Sequence, residues 1–340
     1  MTRAAMLTSW LAALLLLGPA ASAQQSIAPA IGQIPSIQAV PIVPPSGPSL
    51  GAGLGTTFSP VTLSPSLGVP ALPVPVEVRR AQAVPQPGDG RLAGRQLLEQ
   101  LHEQTGRGYR DHGYDDSRHF MFSTADNVTV NGRKGVIDAY SGVFVAGEGP
   151  DPTRYRENGD QNGDGWVDKG GMNIEHTWPQ SFFNKGLPMK ADMHHLLPTF
   201  IHPNEIRGHM PFGEVRGRPE YANSGGAKMG QGVFEPPDAV KGRVARAVLY
   251  FYTRYYDRNI TQGGFDDSFW NDRIDMLLRW NRDFPPNADE KARNVLVERF
   301  QGNRNPFIDD PSLADRVGAD GFKRPGRWGM GYGYKNRPPR

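Results

Sequence analysis

The sequence of 340 residues contains no cysteine. Disulfide bonds, a lipid-modified N-terminal cysteine and cysteine-ligated zinc are therefore excluded. Charge is also missing from a long stretch, because residues 24–76 contain no Asp, Glu, Lys or Arg. Prolines are closely spaced in this stretch, which disfavours helices and central strands. We therefore expect a disordered Pro/Ser/Gly-rich linker over residues 24–89, with folded sequence beginning near Gly90.

Long apolar segments are also scarce, and the one candidate lies at the N-terminus. Residues 1–3 carry a positive charge, residues 4–17 are mainly apolar, and Ala21-Ser22-Ala23 has the form of a cleavage site. The apolar run is shorter than the ~20 residues of a membrane-spanning helix. We expect residues 1–23 to be a signal peptide cleaved after Ala23, and the mature protein to be secreted, periplasmic or extracellular, without membrane insertion.

Net charge gives little indication of a binding partner. The formal charge of the whole chain is +3, and it falls to +1 from Ala81 onward because Arg3, Arg79, Arg80 and Glu77 are left out. Such a small charge does not by itself favour a polyanion. Any attraction to nucleic acid must come from a local cluster of cations.

The C-terminus contains one such cluster. From Phe322 onward there are six Lys or Arg residues, no acid, and aromatic residues interleaved with glycine. Cations bind phosphates while aromatic rings stack on bases. We therefore expect residues 319–340 to form a basic, aromatic tail that binds substrate through Arg324, Arg327 and Trp328. A solvated tail without a function is the alternative.

Hydrophobic spacing predicts a mainly helical α+β domain over residues 90–318. Leu97, Leu98 and Leu101 indicate a helix that ends before Gly106. Strands are expected over residues 128–130 and 136–140, joined by the turn-prone pair at 131–132. Apolar faces predict helices around residues 244–255 and 274–280. Asn287 has the position of an N-cap for a third helix, with Glu290 three residues on.

The side chains that could carry out chemistry are concentrated in residues 173–213. They include carboxylates, imidazoles, an amide and a guanidinium: Glu175, His176, Asp192, His194, His195, Asn204 and Arg207. Phosphodiester hydrolysis needs a base that activates water and a divalent ion that neutralises the phosphate. Imidazole titrates near neutral pH, and carboxylate and amide oxygens suit Mg²⁺. On residue types alone, a hydrogen-bonded core network explains the segment equally well. Zinc is not favoured, because the segment has no H-E-x-x-H motif.

Ordered motifs make this segment resemble a known family. Residues 173–181 read Asn-Ile-Glu-His-Thr-Trp-Pro-Gln-Ser, and residues 192–198 read Asp-Met-His-His-Leu-Leu-Pro. Both are similar to motifs of the endonuclease I family of secreted non-specific nucleases, in the ββα-metal (His-Me finger) group. Residues 300–308 resemble the C-terminal motif of that family, and residues 246–252 resemble a weaker block. The resemblance implies a ββα-metal core embedded in a mainly helical single domain.

The resemblance also implies an activity and a site. His176 corresponds to the general base, and Glu175 and Asn204 correspond to the ligands of one Mg²⁺ or Mn²⁺ ion. The implied reaction is endonucleolytic cleavage of DNA and/or RNA with little sequence preference, leaving 5′-phosphate products. Adjacent residues on a regular strand face opposite sides, so Glu175 and His176 must lie where a strand ends or bulges. We expect the enzyme to be a monomer.

Other residues of the motifs have less direct roles. Arg207 follows Asn204 by one helical turn. It is a candidate catalytic residue that binds the substrate phosphate, and a structural salt bridge is the alternative. Asp192, His194 and His195 are expected to support the site rather than take part in the chemistry.

A second metal signal precedes the first motif. Oxygen-bearing side chains stand at positions 1, 3, 5 and 9 of a calcium-type loop: Asp160, Asn162, Asp164 and Asp168. Position 6 is glycine as the pattern requires, but position 12 is Gly171 rather than a bidentate Glu. This match is compatible with a loop that binds a structural Ca²⁺ ion. It is also compatible with a polar turn. A calcium-stabilised secreted binding module with a decayed nuclease site is therefore the rival function.

Overall fold

The structure is a computed structural model, and it describes residues 92–324. The expected signal peptide and linker, and residues 325–340 of the predicted tail, lie outside the described residues. The helices are α1 (Gly94–Gly106), α2 (Gly113–Phe120), α3 (Ile201–Arg207), α4 (Asp238–Tyr255), α5 (Ile274–Asp283), α6 (Ala288–Gln301), α7 (Pro306–Asp309) and α8 (Ser312–Phe322). A π-helical turn, Met121–Ala125, continues α2. This content of helices and strands confirms the predicted α+β class.

Eight short strands form three antiparallel sheets within residues 92–324. The strands are β1 (Asn127–Val130), β2 (Arg133–Ile137), β3 (Phe144–Ala146), β4 (Met172–His176), β5 (Leu196–Phe200), β6 (Tyr221–Ala222), β7 (Lys228–Gly230) and β8 (Val233–Glu235). The sheets have the orders β1-β2-β3, β4-β5 and β6-β7-β8. Asn131 and Gly132 both have positive φ and join β1 to β2, as their sequence predicts.

The two-stranded sheet carries the first motif and leads directly into α3. Glu175 pairs with Leu197, and His176, the last residue of β4, pairs with Leu196. β5 is buried along its whole length, and α3 begins at the next residue. Two antiparallel strands and a helix therefore bring residues 172–176 and 201–207 together.

The core lies around α4 and is continuous with the motif segment. Trp178, from the first motif, is fully buried and stacks on Phe251 of α4 at 5.2 Å between ring centroids. A second cluster of apolar side chains, including Met121, Val136 and Leu196, packs under β4 and β5. The β4-β5 sheet and the motif residues that follow β4 therefore contribute apolar side chains to both clusters.

Two predicted element ends need correction. α1 extends through Gly106 instead of ending before it. β2 ends at Ile137, because Asp138 turns the chain by accepting a hydrogen bond from the Ser141 amide at 2.6 Å. α8 is kinked at Gly318, near the expected end of the domain, and continues to Phe322, a fully buried residue.

The N-cap prediction for α6 is confirmed, but the capping box is incomplete. The Asn287 side chain accepts a hydrogen bond from the Glu290 amide at 2.8 Å. The Glu290 carboxylate binds Arg246 of α4 instead of reaching back to the cap, with distances of 2.7 and 2.6 Å to the guanidinium. Among the described residues, no helix is both long enough and apolar enough to cross a membrane.

Candidate active site

The predicted base and metal ligands line one cavity of about 240 Å³. Glu175 and His176 enter it from the end of β4, and Asn204 and Arg207 enter it from α3. His209 also lines it, just beyond the helix. The strand ends at His176, and this allows two adjacent side chains to border the same cavity.

Glu175 is buried and paired with a cation. Its side chain is 1% exposed, and Oε1 lies 2.9 Å from Nη1 of Arg207, whose side chain is equally buried. Burial raises the pKa of the Glu175 carboxyl, while Arg207 and the Tyr140 hydroxyl oppose this shift. Nearby positive charge therefore stabilises the ionised carboxylate.

The hydrogen bonds of Arg207 go to the protein backbone. Nη1 donates to the carbonyl oxygen of His176 at 3.0 Å, and Nη2 donates to that of Thr177 at 2.8 Å. The guanidinium also lies 4.5 Å from the centre of the Phe212 ring. Arg207 thus fixes the end of β4 and holds the Glu175 carboxylate.

The hydrogen bonds of His176 define which ring nitrogen can act as a base. Nε2 lies 3.0 Å from the carbonyl oxygen of Lys190. A carbonyl can only accept, so Nε2 carries the proton and Nδ1 keeps its lone pair. Nδ1 has no hydrogen-bond partner within the described residues. Burial, and then the neighbouring His195, lower the pKa of His176 well below its ordinary value, so the ring is neutral.

The Asn204 amide is oriented by contacts with β4. Its Nδ2 donates to Oδ1 of Asn173 at 2.7 Å and to the carbonyl oxygen of Ile174 at 3.3 Å. With the nitrogen held in this way, the amide oxygen is the atom left for a ligand. Asn204 lies inside α3 rather than at its N-terminus, so it does not cap the helix.

Glu175 and Asn204 have the donor atoms of a site for a hard divalent cation. Oε1 of Glu175 is paired with Arg207 at 2.9 Å, and the Glu175 side chain lines the cavity together with Asn204. Across residues 92–324, no three His, Asp or Glu side chains are arranged to hold an ion by themselves. Mg²⁺ is commonly bound through one or two protein oxygens and several waters. The two residues therefore fit an ion of this kind.

The three expected supporting residues lie beside the cavity and do not line it. Asp192 is fully buried and accepts hydrogen bonds from the hydroxyls of Tyr250 and Tyr255 at 2.8 and 2.9 Å. Nε2 of His194 binds the carbonyl oxygen of Asn303 at 3.0 Å. The His195 ring lies 5.4 Å from that of His176, edge to face.

Four further contacts of the site were not predicted from the sequence. Tyr114 of α2 stacks on His176 at 5.9 Å between ring centroids, and Nζ of Lys190 lies over the Tyr114 ring. Tyr140 approaches Glu175, and Asn173 orients Asn204. Of these residues, only Asn173 could have been identified from the sequence. It precedes Glu175 by two residues and so lies on the same face of the strand.

The comparison with known families identifies the class of the protein. Residues 93–312 match the model of the Endonuclease I family, and the chain belongs to that family. The match covers the motif segment, α4 and the C-terminal motif together. It therefore includes every described residue of the cavity.

Several relatives are nucleases that are named as extracellular or periplasmic. The chain is 36% identical over 162 residues to an extracellular ribonuclease of Bacillus amyloliquefaciens, covering 44% of this chain and 54% of the relative. The extracellular ribonuclease of Bacillus subtilis (strain 168) gives the same values. A periplasmic deoxyribonuclease of Aeromonas hydrophila is 32% identical over 132 residues, which is 37% of this chain and 49% of the relative. The chain thus spans about half the length of these relatives.

Proposed function

We propose that the protein is a secreted, metal-dependent endonuclease that hydrolyses phosphodiester bonds of DNA and/or RNA with little sequence preference. The observation that carries this proposal is the meeting of Glu175, His176 and Asn204 at one cavity. In a family of endonucleases, this is the arrangement that the reaction requires. β4, β5 and α3 correspond to a ββα-metal core. Secretion is supported by the N-terminal sequence and by the names of the relatives.

In this mechanism His176 acts as the general base. Its Nδ1 accepts a proton from the attacking water, while the Lys190 carbonyl fixes the ring through Nε2. The low pKa keeps the ring unprotonated near neutral pH, so the base is always in its reactive form. The His176 ring takes up positive charge in the transition state, and the Tyr114 ring is stacked on it.

Glu175 and Asn204 would hold the divalent ion, and Arg207 positions Glu175. A bound Mg²⁺ or Mn²⁺ ion supplies positive charge that stabilises the scissile phosphate and the leaving 3′-oxygen. The Arg207 guanidinium opposes the rise in the Glu175 pKa that burial causes, and it holds the carboxylate at the edge of the cavity. The Nη atoms of Arg207 already donate to acceptors of the protein. Arg207 therefore affects the substrate phosphate indirectly, by positioning Glu175.

The rival function, a calcium-stabilised binding module with a decayed site, is not favoured by the structure. A decayed site would be expected to lose one of the three residues or their mutual orientation. Here Asn173 holds the Asn204 amide and Arg207 holds the Glu175 carboxylate. These contacts support the proposal of a working site.

The test is cleavage of supercoiled plasmid by the protein without residues 1–23, after removal of metal with EDTA and addition of Mg²⁺ or Mn²⁺. Glu175→Gln should lower the rate by roughly 10²-fold or more, since it removes the charged ligand. The control is Glu205→Gln, an exposed carboxyl on α3, the helix that carries Asn204, and its rate should match that of the parent protein. Product ends should ligate without kinase treatment, because they carry 5′-phosphates.

Matched single-stranded DNA, duplex DNA and RNA then define the substrate. Circular dichroism of the Glu175→Gln variant separates loss of chemistry from loss of fold, since Arg207 loses its partner in this variant. Absence of cleavage with every cation and every substrate would contradict the proposal. Equal rates for Glu175→Gln and the parent would contradict the assignment of the metal ligand.

A further inference from the structure

Three polar residues at the mouth of the catalytic cavity have no role in the mechanism described above. Gln180 and Ser181 end the first motif, and His209 follows α3. Ser181 and His209 are exposed and Gln180 is half-buried, whereas Glu175 and His176 at the floor of the cavity are buried. The cavity volume of about 240 Å³ is below the roughly 300–1,000 Å³ of most small-molecule sites. Only a short part of a nucleic acid strand can enter it, so the adjoining part must lie against the mouth.

The polar side chains of the mouth are free to bind a ligand. Within residues 92–324, the side chains of Gln180, Ser181 and His209 form no hydrogen bond or ion pair. The His209 ring meets the Phe182 ring edge to face, at 6.4 Å between centroids. Each of the three polar side chains offers a donor: an amide N–H, a hydroxyl and an imidazole N–H. Three donors at one mouth therefore remain for the substrate.

The backbone under Ser181 is closely packed. The Phe182 carbonyl oxygen accepts a hydrogen bond from the Gln262 amide at 2.9 Å. A Cβ at Gly263 would lie 2.6 Å from the Ser181 carbonyl oxygen, so only glycine allows this approach of the two segments. The side chain of Ser181 is thus unbound while its backbone is fixed.

The position of His209 depends on the turn that ends α3. Gly208 has a φ of 53°, in the left-handed region, and there it reverses the direction of the chain after the helix. The Met210 amide closes the turn by donating to the Arg207 carbonyl oxygen at 3.0 Å. The turn brings the His209 ring to the mouth of the cavity. Donors that are fixed before binding lose less entropy when a ligand arrives.

The charge around the mouth favours an anionic ligand. Residues 176–191 contain Lys185 and Lys190 and no Asp or Glu. Among the residues that line the cavity, the acidic one is Glu175, which is paired with Arg207 and assigned to the divalent ion. An anionic group at the mouth therefore meets hydrogen-bond donors and no unpaired carboxylate.

We propose that Gln180, Ser181 and His209 bind a backbone phosphate of the substrate that lies next to the scissile one. This proposal rests on the endonuclease function and gives the strand a second point of contact. The scissile phosphate lies at the floor of the cavity, beside His176. The neighbouring phosphate lies at the mouth, where its non-bridging oxygens accept hydrogen bonds from the three side chains. Such contacts fix the position of a strand without selecting its sequence.

The test compares three thymidine dinucleotides as substrates of the protein without residues 1–23. TpT contains only the scissile phosphate, while pTpT and TpTp carry one further phosphate at the 5′ or the 3′ end. One of these two should be cleaved with a kcat/KM at least ~10-fold above that of TpT, because a hydrogen bond to a charged group contributes about this much. His209→Phe should remove most of this advantage, mainly by raising KM.

A binding measurement that does not depend on cleavage accompanies the kinetics. Fluorescence anisotropy of labelled dT12 in EDTA should show affinity at least ~10-fold lower for His209→Phe than for the parent. His209→Asn should keep most of the affinity, because its amide still donates. The control is His119→Phe, at an exposed histidine of α2 outside the cavity, which should match the parent.

The outcomes separate this inference from the function on which it rests. Equal kcat/KM values for TpT, pTpT and TpTp would overturn the inference. Affinity for dT12 that is kept in His209→Phe and lost in His209→Asn would also overturn it, since the ring would then stack on a base. A parent protein that cleaves dT12 with no cation at all would instead contradict the proposed function.

Discussion

At the scale of single residues, His176 combines features that a general base needs. Its Nε2 donates a hydrogen bond to a backbone carbonyl. A carbonyl remains an acceptor whatever the pH or the substrate. Its Nδ1 is left without a partner in the described chain. A protonated ring would be destabilised by burial and by the neighbouring His195. The same contacts therefore set the tautomer, the orientation and the protonation state.

Replacing His176 with Ala should lower the cleavage rate by ~10²–10⁴-fold, because no other described side chain of the cavity has an equivalent free ring nitrogen fixed by the backbone. The affinity for Mg²⁺ should stay close to that of the parent protein, since His176 is not a proposed ligand. The measurements are initial rates on plasmid and a Mg²⁺ titration of activity.

His119→Ala provides the control, because His119 is an exposed histidine on α2. Its rate should equal that of the parent. Retention of a tenth of the activity in His176→Ala would contradict the role of His176 as the base.

At the scale of elements, the unit β4, β5 and α3 was largely predictable. The local motif placed Glu175 and His176 at a strand end, and Asn204 on a following helix, and the structure has both features. The partner of Arg207 was left open between phosphate and a salt bridge. Sequence spacing cannot resolve that choice, because the ion pair with Glu175 depends on how α3 packs against β4.

The C-terminal helix α8 changes the design of a tail deletion. The carbonyl oxygen of Phe322 accepts a hydrogen bond from Nε1 of the buried Trp270 at 3.1 Å, so a deletion must begin after this residue. Arg324 also contacts the fold, with its amide bound to Asn271 and its guanidinium 5.5 Å from the centre of the Phe265 ring. Residues 325–340 are the part that can be removed without cutting described contacts.

Deleting residues 325–340 should weaken substrate binding at low salt and flatten the dependence of log K on log salt. Each phosphate contact contributes about −0.9 to this slope on duplex DNA and about −0.7 on single strands. Four of the six basic residues after Phe322 are lost, including Arg327, together with Trp328. The loss should be larger for single-stranded substrates, because stacking is lost as well.

Fluorescence anisotropy over a range of salt concentrations measures the slope, and a single-turnover rate at saturating substrate serves as the control. That rate should hold, because the cavity is intact in the truncated protein. Identical salt slopes for the two proteins would show that the tail does not contact nucleic acid.

At the scale of the whole molecule, buried imidazoles should make stability depend on pH. Burial is the main cause that lowers the pKa of both His194 and His195 to about 4, from an ordinary value of 6.5. Between about 6.5 and 4 the unfolded chain binds protons that the folded protein does not. The free energy of unfolding should therefore fall as pH decreases through this window, by up to about 3 kcal/mol for each imidazole.

Urea unfolding at several pH values between 7 and 4 measures this dependence, in protein kept free of metal. His194→Asn is the matched variant, since an amide can still donate to the Asn303 carbonyl but does not titrate. Its stability should fall less over the same window. A parent protein whose stability is constant from pH 6.5 to 4 would contradict the assignment of neutral buried histidines.

What the sequence could not predict at this scale is the set of long-range partners. Asp192 was expected to support the site, but its partners Tyr250, Tyr255 and Gln301 lie in distant segments of the chain. The apolar face expected for α4 became a helix buried on nearly all sides, with Arg246 and Arg254 paired inside the fold. Such contacts depend on packing between elements, which periodicity does not describe.

The anchoring of Asp192 and His194 has a consequence for the order in which the protein is made. Their partners Gln301 and Asn303 are each encoded 109 residues later. A growing or prematurely ended polypeptide therefore contains Glu175, His176 and Asn204 before Gln301 and Asn303 can complete the contacts of the motif between them. We expect nuclease activity to appear only once translation has nearly finished. Truncated products should therefore not damage the nucleic acids of the cell that makes them.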